Sequence, residues 1–279
     1  MKKILVITGL VMSLSNQSVK AQEDSTETKP EFKISVNYNS YLNYYGRTDS
    51  LQSSGFFPMA EFWVTPNFYI NAAPIFVNNK LQSFDYVGTV ATAGFQNMSE
   101  KWLTSLYVMK PFYEESAELV QAALKAQAGS SVTRLNKTLN LTLGGDVKFT
   151  DATDFGAMAG ADHIIRIENK DNSVFVLDPS FYAYAGTQRF SRAYVTKQNN
   201  PLPLPIGGGS EEITEDVNQF NILAYELSMP VIYAKGKMQL MAIPSYIIPQ
   251  NLLTVENRPD LSETGKNSFY GTVSLKFTF

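Results

Sequence analysis

The sequence predicts an all-β fold: a transmembrane antiparallel up-and-down β-barrel of about 12 strands after a cleaved signal peptide. Three observations predict it. The chain opens like a secretory leader, its strands alternate apolar and polar residues at period two, and its connections alternate between short turns and longer loops. Window hydropathy does not reveal such a protein, because each strand shows only one apolar face. The mean hydropathy of −0.14 agrees with that.

The leader is justified by Lys2 and Lys3, the apolar run at residues 4–14, and Val19-Lys20-Ala21, which fits a signal-peptidase site. The run is too short to span a bilayer as a helix. Residues 1–21 are therefore expected to be a signal peptide, 22–31 a short periplasmic segment, and 32–279 the barrel. No later run of eighteen apolar residues occurs, which excludes a helical membrane protein. The formal net charge is −3, and loss of Lys2, Lys3 and Lys20 makes it more acidic, which argues against a nucleic-acid partner. Cysteine is absent, so disulfides and thiolate chemistry are unavailable. No metal or cofactor is expected.

The strands follow in order. Residues 32–38 (FKISVNY) alternate without a break and form strand one. Ten further strands are expected at 56–65, 67–78, 84–95, 101–112, 119–134, 138–149, 155–168, 173–188, 217–234 and 237–250. The twelfth carries the final SFYGTVSLKFTF. Turns follow the even strands: TPN at 65–67, NMSE at 97–100, NK at 136–137, NKDN at 169–172 and KGK at 235–237. Longer connections follow odd strands, notably 189–216 and 251–267. This asymmetry belongs to outer-membrane barrels, and it places both termini on the periplasmic side with the short turns. A secreted sandwich would have shorter strands and no such alternation.

The last strand answers to a closed barrel, in which it pairs with the first and meets lipid on its apolar face. Phe269, Val273, Leu275, Phe277 and Phe279 are expected outward, with Tyr270, Thr272, Ser274, Lys276 and Thr278 inward. Gly271, Phe277 and Phe279 resemble the C-terminal signal by which outer-membrane barrels are handed to the barrel assembly machinery. That resemblance implies two partners, the machinery during biogenesis and outer-membrane lipid afterwards. The stretches LDPSFYAYAGTQ, FNILAYELSMPVIYAKGK and IPSYIIPQN resemble segments of Bacteroidota outer-membrane β-barrel proteins of uncharacterised function. The resemblance implies fold and compartment and lends no functional residue.

Alternation also assigns the lumen. With Phe56, Ala60, Phe62 and Val64 facing lipid, Met59, Glu61 and Trp63 face inward, opposite Tyr69 and Asn71. Asp162 and Arg166 are expected inside on strand eight, Asp178, Ser180 and Tyr182 on strand nine, and Glu226 beside Tyr246 on strands ten and eleven. Inward Lys33, Lys148, Arg166 and Lys276 then balance Glu61, Asp146, Asp162, Asp178 and Glu226. One reading is a weakly cation-preferring constriction with Glu61, Asp162, Asp178 and Glu226 near one level. The other is a narrow barrel filled by paired charges and tyrosines.

The expected function is thus a narrow small-solute pore; the alternative is a non-conducting structural or accessory barrel, whose protein partner the sequence does not name. An outer-membrane hydrolase is a third reading, and the chain is not expected to be an enzyme. Its one histidine, His163, has no serine two residues on, where Ile165 stands, and reads as an outward interfacial side chain. PLPLPIGGG at 201–209 reads as the crest of the longest loop, since no Lys-Ser/Thr follows its glycines. In EESAELVQAALKAQAG at 114–129 the second half reads as strand, with Lys125 and Gln127 facing the lumen.

Overall fold

The computed structural model describes residues 30–48, 52–81, 83–114, 124–150, 153–188, 219–252, 263 and 265–279. The expected signal peptide and the glycine-proline loop at 201–209 lie outside the described residues. The strands are β1 (Glu31–Asn39), β2 (Asn43–Tyr44), β3 (Arg47–Thr48), β4 (Ser54–Trp63), β5 (Phe68–Asn78) and β6 (Asp85–Met98). Next come β7 (Trp102–Tyr113), β8 (Ala126–Arg134), β9 (Asn140–Phe149), β10 (Thr153–Asp162), β11 (Ile165–Glu168) and β12 (Ser173–Leu177). The chain continues through β13 (Ser180–Gly186), β14 (Asn221–Ser228), β15 (Val231–Lys235), β16 (Met238–Pro249) and β17 (Ser268–Thr278).

All except β2 and β3 form one antiparallel sheet, and it closes on itself. β17 pairs with β16 on one side and with β1 on the other, from Lys33↔Thr278 to Asn39↔Thr272. Closure pairs both edges of the wall along its body, as strands in hydrocarbon require, and only the short β11 has a neighbour on one side alone. The barrel has twelve strands, three of which are each divided in two. β10 continues as β11, β12 as β13, and β14 as β15, with the pairing resuming in register past each gap, as in Asp162↔Ser180 and Ile165↔Leu177.

Proline explains the gaps, because it has no N–H to give the ladder. Pro179 and Pro230 sit in two of them, and their carbonyls still accept from neighbours: His163 N–H from 3.1 Å onto Pro179 and Asp178 N–H from 2.9 Å onto Pro230. Met229 N–H likewise reaches the Pro244 carbonyl of β16 at 3.0 Å.

The faces are inverted relative to a water-soluble sheet. On β1 the alternate residues Phe32, Ile34, Val36 and Tyr38 are exposed while Lys33, Ser35 and Asn39 are buried. The same holds on β17, where Val273, Leu275 and Phe277 are exposed and Thr272, Ser274 and Lys276 are buried. Exposed Ile70, Leu106, Val108, Val132, Leu141, Leu143, Leu227 and Leu240 continue the apolar belt around the wall. An apolar surface this continuous is stable only against lipid. At the short-turn end cations stack on aromatic faces, Arg134 at 4.8 Å from the Trp102 ring and Lys237 at 5.9 Å from that of Phe279, an arrangement suited to a membrane interface.

Side chains lock the turns. Thr65 Oγ1 accepts from the N–H of Phe68 at 3.0 Å, and Asn67 Nδ2 donates to the Gln96 carbonyl at 2.8 Å. In the turn between β11 and β12, Asp171 accepts from Lys235 Nζ at 2.8 Å and Ser173 Oγ at 2.6 Å. Those bonds hold its carboxyl well below the usual carboxylate range.

Candidate functional site

Strands deliver alternate side chains to the lumen, and the four acids expected near one level, Glu61, Asp162, Asp178 and Glu226, fall into three groups. Glu61 lies near the short-turn end of β4, opposite Lys33 and Asn71, and accepts from Trp63 Nε1 at 2.8 Å. Lys33 sits 4.5 Å from the Trp63 ring centroid and 3.3 Å from Glu31, and Lys276 is a charged neighbour of Glu61. Asp162 and Asp178 form the second group. Asn140 Nδ2 donates to Asp162 Oδ2 at 2.7 Å, and Asp178, 1% exposed, is its charged neighbour, with its own N–H on the Pro230 carbonyl. Glu226 is the third, accepting from the Tyr270 hydroxyl and opposite Tyr182 and Ile247.

The four acids therefore do not form one ring. Glu61, Asp162 and Glu226 each accept from a side-chain donor of their own, as buried polar groups require. Asp146 is likewise paired with Lys148 along β9. Asp178→Asn is expected to leave the barrel folded, because the amide keeps the shape of this buried side chain and removes its charge beside Asp162. Asp178→Leu is expected to destabilise it by about 1–3 kcal/mol, since Asp162 then loses a polar neighbour in a buried site. Urea titration of the detergent-folded protein measures both.

Three residues expected in the lumen, Tyr246, Arg166 and Lys125, lie elsewhere. Tyr246 is opposite Leu227, not Glu226, and stacks at 4.5 Å on outward Phe269, so it faces lipid. The residue of β16 opposite Glu226 is Ile247. Arg166 lies on β11, which pairs only with β12 and runs past the end of β9. There it is 38% exposed and bonded to Glu168 at 2.8 Å, at the rim and outside the lumen. Lys125 is also exposed, whereas Gln127 is buried and accepts a place beside Lys148. His163, half-buried, occupies the gap between β10 and β11. On β17, Phe277 and Phe279 face outward, and the Gly271 N–H donates to Ser40 Oγ at 2.8 Å.

Glycines let the wall take large rings. Tyr69 is paired with Gly94, Tyr107 with Gly129 and Tyr182 with Gly160. A Cβ on those glycines would come within 2.3, 2.6 and 2.1 Å of the tyrosine ring. Each ring thus lies across its neighbour's bare backbone, the known rescue of a glycine by a cross-strand aromatic.

The lumen at the end away from the short turns is occupied by a segment the alternation does not mark. β2 and β3 form a hairpin between β1 and β4, with Tyr45 at φ 50° and Gly46 at φ 79°, the two left-handed residues of a type I′ turn. Asn43 Oδ1 accepts from the Gly46 N–H at 3.1 Å. Gly46 packs against Pro249 so closely that a Cβ would stand 2.7 Å from its ring. Leu42, fully buried, enters a cluster with Phe57, Ile75, Val77, Val87, Val90 and Met109 of the wall. The Tyr45 ring lies tilted against that of Tyr184 with centroids 5.1 Å apart and joins Tyr182, Leu223, Ile247 and Tyr270. Burial raises the Tyr44 and Tyr45 hydroxyls well above the usual tyrosine range. The hairpin bridges two faces of the lumen.

Arg47 fastens it. Its Nε donates to Glu263 Oε2 at 2.8 Å, one terminal nitrogen to the Tyr45 and Leu223 carbonyls at 3.2 and 3.1 Å, and the other to those of Gln250 and Asn251 at 3.1 and 3.2 Å. All five N–H groups of the guanidinium are used. The available signal for this feature was NYYGRT, a glycine after two tyrosines at hairpin spacing inside a polar connection.

No known protein family matches the chain, and no curated protein does. Among solved structures it is similar to the KdgM porin, with a TM-score of 0.48 and 6% identity over 88% of this chain and 99% of that one. It is also similar to an outer membrane channel from Pseudomonas putida F1, with a TM-score of 0.48 and 11% identity over 94% of this chain and 100% of that one. LpxR from Salmonella typhimurium gives a TM-score of 0.45 and 8% identity over 89% and 100%. Likenesses this distant lend the chain no activity, substrate or site residue.

Proposed function

We propose that the chain is an integral outer-membrane β-barrel of the channel class, held closed at rest by its own hairpin. The observation that carries this reading is the placement of β2 and β3 inside the wall, with Leu42 and Asn43 at 0% exposure. A barrel of twelve strands lies between small ones that side chains fill and large ones that hold an aqueous channel. Here an inserted segment supplies much of the outer filling. It is attached by the buried contacts of Leu42 and Tyr45 and by the hydrogen bonds of the Arg47 side chain to carbonyls of the wall and its connections. A wall built only as scaffold has no need of such a fastening.

Planar-bilayer recording tests the reading. The intact chain is expected to be silent, and a variant with residues 41–48 replaced by a short glycine-serine linker is expected to give discrete conductance steps. A linker variant that folds, shifts on heating in a gel and stays silent would leave the non-conducting accessory barrel as the function.

The proposed orientation puts the short turns and both strand ends, Glu31 and Thr278, on the periplasmic side, with the barrel assembly machinery acting on β17 during insertion. An epitope inserted at Leu81, 79% exposed in a longer connection, should then be labelled on intact cells. An epitope at Lys170, in the turn after β11, should be labelled only after lysis. The opposite pattern would reverse the topology.

A further inference from the structure

The groups that bind Arg47 belong mostly to the barrel and not to the hairpin. Of its five acceptors only the Tyr45 carbonyl travels with β2 and β3. Leu223 is on β14, Gln250 and Asn251 follow β16, and Glu263 is in the connection to β17. The wall holds several of these acceptors in place through bonds that do not involve the hairpin. Gln250 N–H donates to the Leu223 carbonyl at 2.8 Å, Gln188 Nε2 to that of Asn251 at 3.0 Å, and Asn251 Nδ2 to that of Ile222 at 2.9 Å. The Glu263 side chain is only 4% exposed. Three carbonyls and a carboxylate, preset around one planar fork, form a receptor whose shape matches a guanidinium and not a spherical ion.

We propose that this cradle is a guanidinium-recognition site, occupied by the chain's own Arg47 in the closed state, and that a guanidinium-bearing solute competes for it and releases the hairpin. The proposal rests on the closed-channel reading above and adds to it a ligand class and a means of opening. An outside guanidinium can replace every wall contact of the Arg47 side chain, leaving the hairpin with the apolar contacts of Leu42, the Tyr45 ring contact and the backbone bridge of Arg47 to Gly265. A primary ammonium has three donors on a point and does not span four acceptors set out for a fork. Selectivity for guanidinium over ammonium is therefore the signature of the site.

The absence of cysteine makes the test clean. Leu42→Cys places one thiol where the closed hairpin buries it, and its reaction with a maleimide in reconstituted vesicles reports hairpin release. Labelling is expected to be slow in buffer and about tenfold faster with methylguanidinium at roughly ten millimolar, a change of one decade in the open fraction. Methylammonium and sodium at the same concentration are expected to leave it slow. Arg47→Ala in the Leu42→Cys background is expected to label fast without any additive, and Glu263→Gln is expected to weaken the methylguanidinium preference. Fast labelling of Arg47→Ala with no response of the parent to methylguanidinium would overturn the recognition site while leaving the plug intact. Equal acceleration by methylammonium would overturn it too, as would slow labelling of Arg47→Ala. Fast labelling of the parent in plain buffer would instead remove the closed-channel reading itself.

Discussion

Gly160→Val is expected to abolish the folded barrel, and Gly94→Val and Gly129→Val are expected to come close to it. At Gly160 the first carbon of any side chain would stand 2.1 Å from the Tyr182 ring, well inside contact distance. The ring has nowhere to go, since Tyr182 is buried against Tyr184 at a centroid separation of 6.3 Å and is paired with Glu226 on its other side. Overpacking of a fixed ring costs about 1–3 kcal/mol for one extra methylene, and valine adds three carbons, so the loss approaches the whole stability of a small barrel. Tyr182→Ala combined with Gly160→Val should recover folding, because the second change empties the space the first one needs. Gel mobility with and without heating, followed by urea titration, measures both. If Gly160→Val folds as well as the parent, the ring does not lie over that glycine.

Replacing Phe277 and Phe279 together with serine is expected to remove membrane-inserted protein. Both rings point outward, at 39% and 62% exposure, and Phe279 lies 6.4 Å from Phe32 on the strand it closes against. Each ring taken from lipid forfeits about 1.5–3 kcal/mol, and the pair lies at the seam where β17 meets β1. The Phe279 N–H donates to the Phe32 carbonyl at 2.8 Å, a bond that serine keeps, so the loss isolates the side chains. Phe277→Leu with Phe279→Tyr should restore insertion by restoring apolar surface. The double serine variant in the membrane fraction at the parental level would mean that these rings contribute little to closure.

The barrel itself was legible because β1 and β17 each show polar and apolar faces separated without exception. The Glu61–Asn71 pairing followed from a three-residue turn that fixes the hairpin register. The facing of β16 was not legible, because its inner side carries Met241, Ile243 and Ile247 and is as apolar as its outer side. Alternation then has no contrast and does not tell which face carries Tyr246. Arg166 illustrates a different limit. Its parity is that of the lumen, as its partner Val176 shows, but alternation says nothing of height, and β11 outruns the neighbouring β9. The hairpin was missed because Tyr41, Asn43 and Arg47 read as ordinary loop polarity. Only the folded wall shows that Leu223, Gln250 and Asn251 turn their carbonyls to meet an arginine.

The prolines on neighbouring strands have a mechanical meaning. A sheet resists bending through its cross-strand bonds, and here the ladder is thinned along one line, at Pro179, Pro230 and Pro244 on three successive strands. That line is a crease. It continues through Gly271, opposite Pro244, and reaches Ser40, whose N–H donates to the Gly271 carbonyl at 2.9 Å. Ser40 is the root from which the chain leaves β1 for the hairpin. The softest direction of the wall thus runs to the stem of the hairpin, so the line where the ladder has fewest bonds and the point where the inserted segment leaves the wall are one place.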